Sequence, residues 1–329
     1  MDFALERLVE NGDTCRTSGG LSSGIEECRP DNDAFVNLVN QYGMALAPSA
    51  MYPASTTGYG GFEIMLEGTY TTVNGDSDYM RKGTRGTIDP TSGQAASENE
   101  SPASLLQLYS LRIRKGFGFG FEMGLQFGFM PNTSLVSGGA DVRMSILEGF
   151  RDGIPGYMPD FAIMGSARTI TGTSQVQLTV VGAGGTFSKP ITIAQSAVLT
   201  PSIGYQHLFI FGDSGVIDFT PAESALQGCG YAGPKQPGTP GASEPYDGSP
   251  VCDSSGTVSD FNNNKVFTPV RLQRQRLTFG LSYRYEILTF GGQLMVDVFD
   301  QTKINKDDAA ALEGEPSNTA FSLQLGAIF

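Results

Sequence analysis

From Phe119 to Phe129 the chain reads Phe-Gly-Phe-Glu-Met-Gly-Leu-Gln-Phe-Gly-Phe, with every odd position apolar and every even one glycine or polar. A period of two belongs to a strand whose two faces meet different media, and helical spacing cannot produce it. A second run sets Leu277, Phe279, Leu281, Tyr283, Tyr285 and Ile287 against Arg276, Thr278, Gly280, Ser282, Arg284 and Glu286, so one face carries full charges. Ten such segments recur, near 62–73, 105–115, 119–130, 138–150, 160–171, 175–186, 197–212, 267–287, 291–299 and 319–329. The fold class is therefore all-β. A soluble sandwich also alternates, but the aromatic faces opposite glycine-rich ones fit a wall with apolar surroundings outside and a confined space inside.

The connectors near 116–118, 151–158, 187–196 and 288–291 are short, whereas 74–104, 213–266 and 300–318 are long and polar. Short turns at one end and mostly long loops at the other are the pattern of a transmembrane barrel. The chain closes on Asn318-Thr319-Ala320-Phe321-Ser322-Leu323-Gln324-Leu325-Gly326-Ala327-Ile328-Phe329, with Phe321, Leu323, Leu325 and the terminal Phe329 on one face. This ending resembles the C-terminal assembly signal of Gram-negative outer-membrane β-barrels. The resemblance implies a single antiparallel barrel of about ten strands over 61–329, inserted by the barrel assembly machinery into outer-membrane lipid and lipopolysaccharide. It also implies that the three long loops are extracellular and available to a surface partner. Eight or twelve strands stay open, because 187–212 has room for an extra hairpin, and nothing in the sequence reads out an oligomeric state. With no Trp in the chain, Tyr and Phe alone must serve the interfacial girdles.

Charges in such a wall belong inside, since an Arg or Lys facing lipid at mid-membrane costs about 2–4 kcal/mol. Alternation assigns Glu63, Glu67, Arg112, Arg114, Glu122, Asp141, Arg143, Arg168, Arg274, Arg276, Arg284, Glu286 and Asp297 to the interior face. Antiparallel pairing of the first three strands brings Glu63, Arg114 and Glu122 to one level. Such a set reads either as a salt-bridge network filling a narrow barrel or as a charged solute path. Ten strands leave little more room than eight, which side chains alone can fill, and that favours the network.

Residues 1–60 differ in kind, with two short amphipathic helices expected, one over Phe3–Val9 and one capped by Asp33 and containing Phe35, Val36, Leu38, Val39 and Tyr42. Their apolar faces need a seat, either in the lumen or over the periplasmic mouth, and the segment is expected on the periplasmic side. Cys15 with Cys28 and Cys229 with Cys252 form two local pairs without metal-ligand spacing, which reads as two disulfides on opposite sides of the membrane. The first residues lack the basic start and apolar run of an export signal, as expected after its removal.

Other function classes are poorly served. A net charge of -13 leaves no basic surface for nucleic acid. The only histidine, His207, shares a face with Ile203, Tyr205 and Phe209 while Ser202 lies opposite, so imidazole catalysis has no starting point. Omptin-like proteases are similar in strand count, but their chemistry needs a histidine among extracellular carboxylates and the long loops contain none. Asp76-Ser77-Asp78 lacks the closing Glu of a calcium loop, and Gly182-Ala183-Gly184-Gly185 lacks the helix of a phosphate loop. No catalytic residue, metal or cofactor is expected. The expected function is a narrow or gated channel for small solutes with a largely filled lumen. The alternatives are a structural or surface-interaction protein and, less well supported, an outer-membrane hydrolase.

Overall fold

Alternation along the chain becomes an inside and an outside only when the strand edges meet. The computed structural model describes residues 1–10, 29–49, 53–86, 98–149, 157–194, 196–219, 229–231, 250–252, 264–298, 312 and 315–329. Its strands are β1 Phe62–Thr72, β2 Leu105–Gly116, β3 Phe121–Phe129, β4 Val136–Leu147, β5 Asp160–Thr171, β6 Val176–Ser188, β7 Ile191–Ala194, β8 Ala197–Ser214, β9 Ile217–Asp218, β10 Cys229–Tyr231, β11 Pro250–Cys252, β12 Asn264–Lys265, β13 Val270–Tyr285, β14 Leu288–Asp297 and β15 Thr319–Ile328. The ladder runs β13-β14-β15-β1-β2-β3-β4-β5-β6-β8, all antiparallel, and pairing of β8 with β13 closes it into a ten-stranded barrel. Closure removes every free sheet edge, which a wall in lipid requires.

The room for an extra hairpin at 187–212 is used differently. Ser188 faces Ser202 in β6–β8, and Ile191 faces Leu199 in β7–β8, so β7 continues the ladder of β6 in the same register through Thr192, with a shift before Ala194. Pro190, which has no N–H to donate, breaks one long strand into two without adding a wall. The β2–β3 turn also trims an expected strand. Phe119 and Gly120 have φ of +60° and +71°, and Phe121 N donates to Gly118 O at 3.3 Å, so β3 starts at Phe121 rather than 119. Two successive positive φ values match the right-handed twist of a tight hairpin.

The N-terminal segment threads this barrel. Residues 1–10 sit at the long-loop mouth, where the Met1 amine donates to Asn132 O at 3.2 Å and Ser134 N to Asp2 Oδ1 at 2.7 Å. The first expected helix is a single 3-10 turn, Leu5–Arg7. Helix α1, Asn32–Leu46, enters the lumen from the same mouth, and Asp31, not Asp33, caps it by accepting from Ala34 N at 2.9 Å. Residues 53–61 lie toward the short-turn mouth, where Gly60 N donates to Gly116 O before β1 begins. Of the two seats expected for the segment, its described residues occupy the lumen, with residues 1–10 at the long-loop mouth. A short helix, α2, Asp78–Gly83, packs over α1 from the β1–β2 loop.

Around α1 the inward wall is apolar. Phe35, Leu38, Val39, Tyr42, Met44 and Leu46 are buried against Leu108, Leu178, Val180, Leu208, Ile210 and Leu272. Each large side chain so buried contributes about 1.5–3 kcal/mol, so the helix is held by on the order of 10 kcal/mol of apolar burial. Two glycines permit the close approach. A Cβ at Gly43 would lie 2.6 Å from Ile210 Cγ2, and one at Gly212 would lie 2.5 Å from Val39 Cγ1. Gly212→Val is expected to cost about 1–3 kcal/mol through this overlap, measured as an earlier midpoint of urea unfolding in micelles, while Gly138→Ala on the open outer wall leaves the midpoint unchanged.

The cysteines divide. Cys15 and Cys28 lie outside the described residues. Cys229 and Cys252 occupy facing positions in the β10–β11 pair, a separation that a disulfide spans. The expected placement of the two pairs on opposite sides of the membrane rests on Cys15 and Cys28 and so lies outside the described residues. Unreduced peptide mapping is expected to recover Cys229 joined to Cys252.

Candidate functional site: the filled lumen

Below α1 the inward face changes from apolar to charged. Arg112 reaches Glu67 Oε2 at 3.2 Å and Asp141 Oδ1 at 2.8 Å, with all three side chains buried. Nearer the short-turn mouth, Arg114 Nε donates to Glu63 Oε2 at 2.8 Å and Nη1 to Glu122 Oε2 at 3.4 Å, which forms the expected acid–base–acid row. The register explains it: Glu63 faces Arg114 directly, and Glu122 faces Gly116, one inward step along. Glu122 also pairs with Arg143, and Arg274 pairs with Asp297.

The threaded segment is wired into this network. Arg143 donates to Pro53 O at 2.5 Å and Ser55 O at 3.0 Å, and Glu122 accepts from Thr57 N at 2.6 Å. Arg274 reaches Asn40 Oδ1 at 2.9 Å. Arg168 donates to Ala47 O at 3.4 Å and Arg276 donates to Pro48 O, so two guanidiniums stand at the end of α1 where its dipole is negative. Ser49 donates to Glu67, and Gln206 accepts from Arg276 Nε at 2.9 Å.

Eleven of the thirteen charges assigned inward are buried: Glu63, Glu67, Arg112, Arg114, Glu122, Asp141, Arg143, Arg168, Arg274, Arg276 and Asp297. Arg284 faces inward but is exposed at the short-turn mouth. Glu286 does not belong to the interior: it sits in the β13–β14 turn with φ +50°, where strand parity ends. Asp160, buried on the inward face of β5, is absent from the thirteen, although parity counted back from Arg168 reaches it. With it, six buried arginines meet six buried carboxylates among the described residues. That balance is what an interior with little water demands. Asn40, Ser49 and Gln206 carry no signal in the sequence, because their roles exist only once the segment is inside the barrel.

The long-loop mouth is tied to the plug by polar contacts. Tyr79 of α2 donates to Glu315 Oε2 at 2.7 Å, and Asn318 Nδ2 donates to Gln41 Oε1 at 2.8 Å. Burial pushes the Tyr79 phenol well above its ordinary range, so it stays a donor.

The outer face is the reverse of the inner one. Leu66, Leu125, Phe127, Phe129, Ile163, Phe187, Ile203, Phe279, Leu281, Leu294, Leu323 and Leu325 are all exposed around the wall. Water-soluble monomers rarely expose an apolar belt of that extent. His207 lies on this outer face beside Phe209, with ring centroids 4.6 Å apart. Among the described residues no helix is long and apolar enough to cross a membrane, and the exposed apolar belt lies on the strands.

No protein-family model and no curated protein sequence matches the chain. Among solved structures it is similar to Ail, the attachment invasion locus protein of Yersinia pestis, at 10% identity over 83% of this chain and 100% of that one, with a TM-score of 0.26. It is similar to the translocator domain of the autotransporter NalP from Neisseria meningitidis at 8% identity, 91% and 97% coverage and a TM-score of 0.34. The outer-membrane channel DcaP of Acinetobacter baumannii matches at 8% identity, 82% and 98% coverage and a TM-score of 0.18. Likeness at this level adds nothing to the chemistry of the wall. A closed antiparallel wall of ten strands, apolar outside and charge-paired inside, makes this chain an outer-membrane β-barrel.

Proposed function

We propose that the protein is a sealed outer-membrane barrel that displays its N-terminal residues and long loops at the cell surface for interaction, without a standing solute path and without catalysis of its own. The observation that carries this reading is the apolar seat of α1. The inward residues Leu108, Leu178, Val180, Leu208, Ile210 and Leu272 suit a buried helix and would be poorly placed in a water-filled pore. A gated channel requires α1 to leave that seat, exposing both surfaces to water at a cost on the order of 10 kcal/mol. The charged lower half supports the same reading, because its arginines hold the segment by its carbonyls rather than lining an open path.

In this reading the outer belt meets membrane lipid, with lipopolysaccharide at the long-loop leaflet, and β15 is what the barrel assembly machinery reads during insertion. The surface partner docks on the acidic long-loop face. Planar-bilayer recording tests the proposal: the full chain is expected to insert, shown by heat-modifiable migration, and to give no steady current. Steady conductance of the inserted full chain would overturn it.

A further inference from the structure

At the short-turn mouth the lumen opens into a cavity of about 490 Å³ between residues 53–57 of the threaded segment and the inner faces of β8, β13, β14 and β15. A separate gap of about 10 Å³ lies beside Pro53, Gly280 and Gln293, and Glu63 and Arg114 of the charge network line the larger cavity itself. The inward position Gly291 leaves the wall open here, since a Cβ on it would come within 3.0 Å of Gln324 Oε1.

The charges lining this cavity are not equivalent. Glu63 is taken by Arg114 and by Thr289 Oγ1 at 3.1 Å. Glu148 accepts from Thr56 N at 2.9 Å and from its Oγ1 at 3.0 Å, and it stands across the barrel, since β4 is four strands from β13 in the ring. Arg284 differs. It faces the cavity with Thr200 and Ser282 beside it, and among the described residues its guanidinium has no hydrogen-bond or ion-pair partner. A guanidinium offers five donors in a planar fork matched to carboxylate and phosphate oxygens.

We propose that this vestibule is a binding site for a small solute bearing a carboxylate or phosphate group, held by Arg284 with the hydroxyls of Thr200, Ser282 and Thr192 completing the contacts. The inference stands apart from the sealed-barrel reading, because a vestibule at this mouth binds whether or not α1 ever moves. It places recognition of an anion at the mouth opposite the displayed surface.

Isothermal titration of the full chain in lipid-free micelles tests it, with glucose 6-phosphate, succinate and dihexanoyl phosphatidic acid as probes and glucose as the neutral control. Saturable binding of at least one anionic probe, and none of glucose, is expected. Which probe binds best identifies phosphate or carboxylate, and a soluble or a lipid source. Arg284→Gln should weaken that binding at least about tenfold, the loss of one charge-assisted bidentate contact, while Glu148→Gln keeps or tightens it. Both positions are exposed or at the rim, and heat-modifiable migration reports that each variant folds. Equal affinity of the parent and Arg284→Gln would overturn the site, as would the absence of saturable anion binding at probe concentrations up to about 10 mM.

Discussion

Removal of residues 1–46 is expected to turn a barrel that holds no steady current into one with resolvable single-channel steps. The deletion takes out the 3-10 turn and α1, and a helix with its side chains occupies a cylinder about 10–12 Å across. What remains around that space is the apolar ring of Leu108, Leu178, Val180, Leu208, Ile210 and Leu272, which must then hydrate. The same deletion is expected to lower resistance to urea by more than any single substitution, because the burial on both surfaces is lost together. Conductance is to be read only from material that retains heat-modifiable migration. An inserted, truncated barrel that stays silent would show that the charged lower half, not α1, seals the lumen.

The second large effect is expected at Arg112, which bridges Glu67 and Asp141 at 3.2 and 2.8 Å. Arg112→Leu keeps much of the volume but leaves two buried carboxylates without their shared cation. Breaking a buried pair from one side costs about 3–5 kcal/mol, since the desolvated partner charge remains. Arg271→Leu provides the contrast. Its pair with Asp213 has the same close geometry, 2.9 Å, but the side chains are 48% and 42% exposed. Pairs of that kind contribute about 0–1 kcal/mol. Urea unfolding of both variants in micelles measures the difference, and equal midpoints would refute the view that burial, not contact distance, sets the value of these pairs.

Much of this was legible along the chain for a definite reason. In a membrane barrel each residue answers to one of two media, so period-two alternation by itself separates lipid-facing positions from lumen-facing ones: Leu125 and Phe127 face out, Glu122 and Gln126 face in. The rule failed where the strand ended, at Glu286, whose turn conformation belongs to neither face. It also passed over a signal. Val176, Leu178 and Val180 make the inward face of β6 apolar at the long-loop end, and Leu208 through Phe211 make β8 apolar on both faces there. Strands apolar on both sides are buried on both sides, and here the inner cover is α1.

The sequence by itself determined the strand wall, the inward charges and the apolar exterior, because each depends only on a residue's parity and its own transfer free energy. Which mouth the N-terminal segment enters, and whether it fills the lumen, had to wait for the tertiary structure. Those choices rest on contacts between residues far apart in the chain, such as Gly212 under Val39, Asn40 on Arg274 and Pro48 O on Arg276. No local pattern encodes them, since an amphipathic helix specifies that its apolar face must be covered but not what covers it.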